Sequence, residues 1–391
     1  MVKINIMDKK KISKRDKVKK LVNSRTTTSI PLYDSFWEDT LTNWGNLGAT
    51  SIIADKNKVL NKDKFDLNLS LQKHFGFDFN MVFLDNSLRM PTKLIKEENG
   101  FITVQDRCGY TADKFIGLSR TMHMYNHVNT SKKVWEQLKH RLDVNYDNLS
   151  RVDSESFFMK YSEDKTWKES IEDINTIYTN NKYTFINSYG PFEAAWRHRE
   201  FSELLMDSVL DELFIDQMFE AHTNLIIETL KKALSMGLKI DGYFLIEDLG
   251  HTSGLLISPK VYERTLHKHH KRLGDYLHKN NLQFFMHSCG KVKELIPLFI
   301  EEGIDVLQAI EAKADQDVAH LSKEYGRDIC FMGNIDIRKL ARSKDDIKRE
   351  IYNKVIPASK NGGYIYHSDH SIPPEVSLEN YIYAIDLIKS L

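Results

Sequence analysis

The sequence predicts an α/β protein whose parallel β-strands close into a (β/α)8 barrel. Its C-terminal half repeats a short apolar, β-rich run, a polar turn and a helix, which implies parallel strands covered by helices. No Gly-x-Gly-x-x-Gly follows a predicted strand, so an open dinucleotide-binding sheet lacks its signature. A length of 391 residues is compatible with one elaborated barrel.

The predicted strands are short runs rich in β-branched and aromatic residues. The first is 30–34, and 101–107 is one strand of a hairpin beside Asn99-Gly100. In the C-terminal half the runs are 183–189, 242–248, 283–289, 305–310, 329–334 and 363–370.

Helical patterns separate these runs, at 130–142, 259–278, 292–302 and 344–359. Residues 1–28 are expected to be a basic, solvated tail that runs into a first helix capped by Ser13. Residues 29–391 are then expected to form one barrel domain, with 29–150 as its elaborated N-terminal part.

Charge and composition argue against several classes of protein. The chain has 55 basic and 55 acidic residues, so nothing favours binding to nucleic acid or to an anionic membrane. It has no run of 18 apolar residues, and we expect its lysine-rich N-terminus not to be a secretory signal. Three cysteines, Cys108, Cys289 and Cys330, form no disulfide framework. Cys330 lies within an apolar run, as small buried hydrophobic residues do. We expect a cytoplasmic protein with reduced thiols.

Reactive side chains follow most of the predicted strands. The carboxyl ends of barrel strands open on one face, where barrel active sites are built. Polar loops also follow strands for structural reasons alone, so the set indicates a site more than any one residue does. The set is Asp34, Ser188, Tyr189, Glu247, Asp248, His287, Cys289, Gln308, Asn334, Asp336, His367, Asp369 and His370.

The pair His287 and Cys289 is the clearest motif. Residues two apart on an extended strand point to the same side. Imidazole and thiolate groups together suit Zn²⁺, although a buried thiol beside a packed histidine is the structural alternative. Gly290 then allows a sharp turn. Glu247 and His370, at other strand ends, are the candidate further ligands, and Cys330 is a third candidate although it lies in the middle of its apolar run.

Several short motifs follow one another from residue 190 to the end of the chain. They are Gly190-Pro191-Phe192-Glu193-Ala194, Ile257-Ser258-Pro259, His287-Ser288-Cys289-Gly290, Leu295-Ile296-Pro297, Glu302-Gly303-Ile304-Asp305, Met332-Gly333-Asn334-Ile335-Asp336, Gly362-Gly363-Tyr364-Ile365 and His370-Ser371-Ile372-Pro373-Pro374. In these motifs the chain resembles the uroporphyrinogen-decarboxylase-like superfamily. The resemblance implies a distorted (β/α)8 barrel.

Two branches of that superfamily differ in their motifs. True decarboxylases carry Arg-Gln-Ala-Gly-Arg near the N-terminus, which this chain lacks; Arg25 and Arg89 lie in other contexts. A His-x-Cys motif at the strand end is similar to that of zinc-dependent corrinoid methyltransferases, such as methylcobamide:coenzyme M methyltransferases and aromatic O-demethylases. The coenzyme M type has a second cysteine before Gly-Ile-Pro-Pro, where this chain has His370 before Ser-Ile-Pro-Pro. With one thiolate fewer, the metal would be more Lewis-acidic, which favours an oxygen or nitrogen leaving group. Decarboxylases also have a histidine at this place, so His370 alone does not separate the branches.

The resemblance implies methyl transfer between a small methylated substrate, such as a methoxyaromatic or a methylated amine or thiol, and the cobalt of a corrinoid on a partner protein. Zinc would be held by His287, Cys289, His370 and Glu247. The predicted catalytic residues, which would orient ligands or handle protons, are Glu247, Asp248 and Asp336. The predicted substrate-binding residues are Asp34, Tyr189 and Asn334.

Two alternatives stay open. One is a metal-free uroporphyrinogen-type decarboxylase, which needs a cluster of arginines at the barrel mouth. The other is a non-catalytic corrinoid- or tetrapyrrole-binding protein. A homodimer is a further expectation from the superfamily.

Overall fold

The computed structural model of the protein describes residues 12–26, 29–46, 71–115, 122–158, 160 and 163–391. The strands are β1 (Phe79–Leu84), β2 (Lys93–Glu98), β3 (Phe101–Gln105), β4 (Thr111–Phe115), β5 (His123–Tyr125), β6 (Val152–Asp153), β7 (Tyr183–Tyr189), β8 (Gly242–Ile246), β9 (Gly250–His251), β10 (Gly254–Leu255), β11 (Gln283–Ser288), β12 (Val306–Ala309), β13 (Cys330–Gly333) and β14 (Tyr364–Ile365). The helices are α1 (Lys14–Ser24), α2 (Glu38–Asn46), α3 (Lys132–Leu138), α4 (Trp167–Tyr178), α5 (Pro191–His198), α6 (Phe201–Leu210), α7 (Glu212–Ser235), α8 (Pro259–Thr265), α9 (His267–Lys279), α10 (Ile296–Glu301), α11 (Val318–Tyr325), α12 (Ile337–Leu340), α13 (Lys344–Asn361) and α14 (Leu378–Lys389). In the part of the chain described, no helix has the length and apolar character needed to cross a membrane.

Eight parallel segments close into a barrel. Seven of them are neighbouring strands in the order β1, β7, β8, β11, β12, β13, β14. The segment around Leu32 lies between β14 and β1: Leu32 forms a parallel bridge with Tyr366, and its carbonyl accepts a 2.9 Å hydrogen bond from the N–H of Asp78. The predicted (β/α)8 barrel is confirmed, and the predicted strand at 30–34 supplies its closing segment.

Phenylalanine rings fill the interior of the barrel. Phe79, Phe185, Phe244 and Phe285 come from four neighbouring strands, β1, β7, β8 and β11, and are buried. Their ring centroids lie 5.0 to 6.3 Å apart. Tilted and edge-on aromatic pairs at such distances add to the apolar burial that stabilises a core. They form a packed floor beneath the carboxyl ends of these strands.

A small antiparallel sheet, β2 to β5, precedes the second half of the barrel. Asn99 and Gly100 connect β2 to β3, and both have positive φ, 52° and 75°. A two-residue hairpin turn of this type needs positive φ at both positions, so the predicted hairpin is confirmed. The helix predicted at 130–142 is α3 followed by a 3-10 turn, Lys139–Leu142.

Helix α1 lies against the amino ends of the barrel strands. The Ser13 hydroxyl accepts a hydrogen bond from the N–H of Asp16, as predicted for its N-cap. The expectation of a solvated basic segment is corrected here. Arg15 Nε lies 3.0 Å from Asp241, and Lys17 Nζ lies 2.7 Å from Asp78. Both carboxylates are buried, and a buried carboxylate is costly without a cationic partner. Residues 1–11 of the predicted tail lie outside the described residues.

Two buried histidines join helices α5 and α7. The Nε2 atoms of His198 and His222 lie 3.0 Å apart, with both rings fully buried. Burial lowers the pKa of His222 to about 3 and holds the pKa of His198 well below its ordinary value. Both rings are therefore neutral near pH 7 in the folded protein.

This pair predicts a loss of stability in mild acid. In the unfolded chain each histidine takes up a proton below about pH 6.5, whereas the folded protein does not, so stability falls as the pH drops below that value. Between pH 7.5 and 5.5, each histidine should cost about 1 kcal/mol of unfolding free energy. Urea unfolding of the wild type, His222→Gln and the exposed-site control His320→Gln should show a smaller pH effect in His222→Gln alone. An equal effect in all three would contradict this account.

Candidate metal centre

Asp248, His287 and Cys289 meet at the carboxyl ends of two neighbouring strands. The Nε2 atom of His287 lies 3.2 Å from Cys289 Sγ and 3.2 Å from Asp248 Oδ1. All three residues are half-buried. Among the described residues, they are the one group of three such side chains whose ligand atoms all lie within 4.8 Å of one another.

The strand register explains why these side chains meet. Ile246 on β8 pairs with His287 on β11. Successive side chains of a strand point to opposite faces, so Ile246 and Asp248 share one face with His287 and Cys289. The backbone N–H of Cys289 donates a 3.0 Å hydrogen bond to Asp248 Oδ1, which joins the two strand ends.

Gly290 ends the motif with a close backbone contact. Its φ is 75°, and a Cβ at this position would lie 2.2 Å from the carbonyl carbon of Gly250. Only glycine allows the two chains to approach this closely in this conformation. The sharp turn predicted after Cys289 is confirmed.

A second layer of side chains orients His287. Its Nδ1 contacts the Oε1 of Gln308 on the neighbouring strand β12. The Nε2 of Gln308 in turn lies 3.3 Å from Nδ1 of His367. With Nδ1–H donated to Gln308, the Nε2 of His287 is left facing Cys289 and Asp248. Histidines that bind metal commonly have their other ring nitrogen held in this way.

The carboxylate of Asp248 favours a cation among the three ligand atoms, whereas the Cys289 thiol must lose its proton before it can bind a metal. Burial raises the pKa of Cys289. Burial lowers the pKa of His287, but its contacts with Cys289 and Asp248 outweigh burial and hold that pKa well above its ordinary value. For Asp248, burial raises the pKa, and the hydrogen bond with His287 outweighs it, so the pKa falls to about 2. The neighbours of His287 therefore stabilise a positive charge at its Nε2 atom. Metal binding commonly displaces the proton that carries such a charge.

The three side chains open into a cavity of about 310 Å³ at the barrel mouth. Its lining also includes Gln308, His367 and His370. His370 stacks on Trp37, with ring centroids 5.3 Å apart, and is not among the three residues that come within 4.8 Å of one another. The predicted ligand His370 therefore faces the same space as the cluster without joining it.

Comparison with known proteins identifies the family to which this chain belongs. A sequence profile described as uroporphyrinogen decarboxylase (URO-D) matches residues 153–391. The chain belongs to the URO-D family. A uroporphyrinogen decarboxylase from Carboxydothermus hydrogenoformans is 25% identical over 135 residues, which is 34% of this chain. The match covers 37% of that relative, just over a third of its length.

A solved structure shares the whole fold. It is a methyltransferase from Methanosarcina mazei, with a TM-score of 0.63 and 13% sequence identity. The similarity covers 97% of this chain and 99% of that one. At this level of identity the similarity establishes the shared barrel architecture of this URO-D family member.

Glu247 lies on the opposite side of its strand from the cluster, contrary to the expectation that it is a ligand. Its carboxylate accepts hydrogen bonds from the N–H groups of Phe192 and Glu193 at the start of α5, at 3.0 and 2.8 Å. It also lies 2.9 Å from His270 Nε2, deep between β8 and α9. Since Asp248 is the neighbouring residue, strand alternation turns Glu247 outward when Asp248 faces the cavity.

Asp336 and Asn334 are likewise placed outside this cavity. Asp336 caps α12, where it accepts a hydrogen bond from the N–H of Arg338 and pairs with its guanidinium at 2.8 Å. Asn334 is buried and donates to the carbonyl groups of Ile310 and Gln316. These contacts connect loops at the barrel mouth, so the side chains serve the scaffold in this arrangement.

The remaining predicted residues lie close to the cavity. The carboxylate of Asp34 is buried and accepts hydrogen bonds from the hydroxyls of Ser368 and Tyr381. Burial raises the pKa of Asp34 to about 7. Tyr189 lines a second cavity that adjoins the first. Cys330, by contrast, lines neither of these two cavities. It is fully buried, and its sulfur lies 3.0 Å from Arg25 Nη1, so it does not join the cluster.

The sequence interpretation missed the orienting role of Gln308 and the stacking role of Trp37. Gln308 stands at a strand end next to β11, so the strand order alone could have pointed to it. Nothing in the sequence signals Trp37, because its contact with His370 joins segments more than 300 residues apart.

The placement of Glu247 predicts a structural effect of its substitution. Glu247→Gln removes the negative charge beside His270, whose pKa is raised to about 9 because Glu302 and Glu247 outweigh burial. We expect the free energy of unfolding to fall by about 2 kcal/mol, with metal binding at the Asp248–His287–Cys289 cluster unchanged. Urea unfolding and metal analysis measure the two effects, with Glu301→Gln as an exposed control. Weaker metal binding in folded Glu247→Gln would restore Glu247 as a candidate ligand.

Proposed function

We propose that this chain is a zinc-dependent methyltransferase that moves a methyl group between a small methylated substrate and the cobalt of a corrinoid carried by a partner protein. The observation that carries the proposal is the convergence of Asp248, His287 and Cys289 on one point at the barrel mouth. The similarity of its fold to a methyltransferase from Methanosarcina mazei agrees with it.

The donor set suits zinc. Zinc sites in proteins use imidazole nitrogen, thiolate sulfur and carboxylate oxygen, and catalytic sites combine three protein ligands with an open position. Asp248, predicted from the sequence as an orienting or proton-handling residue, is proposed as the carboxylate ligand. His370 stays a predicted fourth ligand, since its ring faces the same cavity.

The residues of this chain prepare the reacting position. The contact of Gln308 with Nδ1 of His287 fixes the imidazole, so that Nε2 stays aimed at the cluster. The cavity in front gives a substrate direct access to the three ligand atoms. A zinc ion held there would supply Lewis acidity to the heteroatom that bears the methyl group. In the transfer to a reduced corrinoid, the bond between the methyl carbon and the heteroatom breaks, and a bond between the methyl carbon and cobalt forms with an electron pair from the cobalt. The heteroatom keeps the electron pair of the broken bond and takes a proton from water.

A uroporphyrinogen-type decarboxylase is the second candidate, favoured by the family and by the Carboxydothermus relative. Binding a tetrapyrrole that carries several carboxylates requires arginines that are not already paired with carboxylates of the protein. Among the described residues that line the two cavities at the barrel mouth, Arg107 is the one arginine. Its guanidinium lies 2.8 Å from Asp85 and 2.7 Å from Asp164. Its charge is already compensated, which weighs against this candidate.

The metal site predicts a clear pattern of zinc retention. Wild-type protein dialysed against zinc-free buffer should keep about one zinc per chain, whereas His287→Ala and Cys289→Ala should keep little, because each loses a ligand. His320→Ala is the matched surface control. Zinc analysis should be paired with circular dichroism to confirm folding. Full retention in both ligand variants would remove the proposal. Loss of zinc in His370→Ala would identify His370 as a fourth ligand. Retention of zinc in this variant would leave Asp248, His287 and Cys289 as the three protein ligands.

The reaction class predicts a second pattern. Zinc-loaded protein, mixed with a reduced corrinoid protein and a methyl donor, should shift the corrinoid absorption spectrum to that of the methylated form. Cys289→Ala should lower this rate by at least about a hundredfold. Release of CO₂ from uroporphyrinogen by metal-free protein would instead establish the decarboxylase. Tight corrinoid binding with no transfer from any donor would indicate the non-catalytic binding protein.

A further inference from the structure

A second cavity of about 200 Å³ adjoins the metal cavity. Met81 on β1 and Ile246 on β8 line both cavities, so these two side chains lie where the cavities meet. The second cavity extends away from the cluster between β1, β7 and the segment at 156–158. It is lined largely by apolar and aromatic side chains, which include Phe83, Phe157 and Tyr189.

The charged residues in its lining are paired with each other. Arg107 lies 2.8 Å from Asp85, and its guanidinium also forms two hydrogen bonds with Asp164, at 3.1 and 2.7 Å. Asp85 receives a further 2.9 Å contact from Arg89. A charged ligand would therefore find no unpaired charge of opposite sign in this cavity. It would lose its hydration without gaining an ion pair, which costs free energy.

Two of the aromatic rings that line the cavity, Phe157 and Tyr189, already contact cations of the protein. The guanidinium of Arg107 and the ammonium of Lys160 lie 5.2 and 4.9 Å from the centroid of the Phe157 ring. The guanidinium of Arg197 lies 4.2 Å from the centroid of Tyr189. Quaternary ammonium ligands are recognised by aromatic faces that are free to receive them. Here a cationic ligand near Phe157 or Tyr189 would meet a ring that already contacts a cation, and it would be repelled by that like charge.

The cavity contains a polar side chain that is free to contact a ligand. The amide of Asn187 on β7 lines the cavity and makes no hydrogen bond to any described residue, although the residue is 4% exposed. An amide can donate and accept, so it suits a neutral hydroxyl or ether group. A few placed polar groups in an apolar cavity are the usual basis of small-molecule specificity.

We infer that this cavity binds the non-reacting part of the substrate and selects a neutral aromatic methyl ether over a methylated ammonium compound. The inference rests on the proposed function for the identity of the reacting group, and on the cavity itself for the binding preference. Asn187 acts as a specificity residue, and Met81 and Ile246 lie at the junction through which the methoxy group of the bound ring reaches the metal ligands.

Calorimetric titration of the full chain tests this preference. The probes are 2-methoxyphenol, the aliphatic ether 2-methoxyethanol, and tetramethylammonium chloride. We expect 2-methoxyphenol to bind at least about tenfold more tightly than either of the others. Asn187→Leu, which keeps the volume and removes the amide, should weaken 2-methoxyphenol about fivefold. The exposed-site variant Asn145→Leu is the matched control and should bind as the wild type does.

The zinc-ligand variants separate this inference from the proposed function. The second cavity contains none of the three ligands, so His287→Ala should bind 2-methoxyphenol with the wild-type affinity even if it loses zinc and activity. Tetramethylammonium binding as tightly as 2-methoxyphenol in the wild type would overturn the inference, as would unchanged 2-methoxyphenol affinity in folded Asn187→Leu. The probe comparison needs no variant, so misfolding of Asn187→Leu would leave that test decisive.

Discussion

The parallel pairing of β8 with β11 is the constraint on which the candidate site depends. It sets Ile246 opposite His287, so that the next inward position after each residue carries Asp248 on one strand end and Cys289 on the other. A shift of one residue in this register would turn Glu247 toward the cavity and Asp248 away from it. The packed phenylalanine floor holds this register, because Phe244 and Phe285 occupy the inward positions just before it.

A chain of contacts extends this order across the mouth. Gln308 reaches from β12 to the imidazole of His287, and His367 approaches Gln308 from beyond β14. Three strand ends are thus linked through side chains as well as through the backbone. On the outer side of the wall, Glu247 ties the start of α5 to His270 of α9. The position of the cluster is therefore fixed by both the inner and the outer faces of the same strands.

Much of this arrangement follows from the sequence, because strand and helix periodicity in the C-terminal half is regular and each strand ends in reactive residues. The His-x-Cys motif on one strand could be interpreted directly. The choice between Glu247 and Asp248 could also have been made, since the inward residues Phe244 and Ile246 fix the alternation. Asn334 and Asp336 look functional because they follow a strand, yet they bond to the backbone of neighbouring loops, and sequence cannot distinguish that use. The ion pairs of α1 join residues more than 60 positions apart, so a basic run looks merely solvated.

The closure of the barrel has a consequence for dissecting the molecule. The segment that matches the family, 153–391, contains six parallel strands, β7, β8 and β11 to β14. The segment around Leu32 and strand β1 fill the gap between β14 and β7. A fragment cut to the matching boundaries would expose two open sheet edges with unpaired backbone groups, which invite strand-to-strand association between copies. The segment 153–391 contains the three candidate metal ligands but only six of the eight parallel segments that close the barrel.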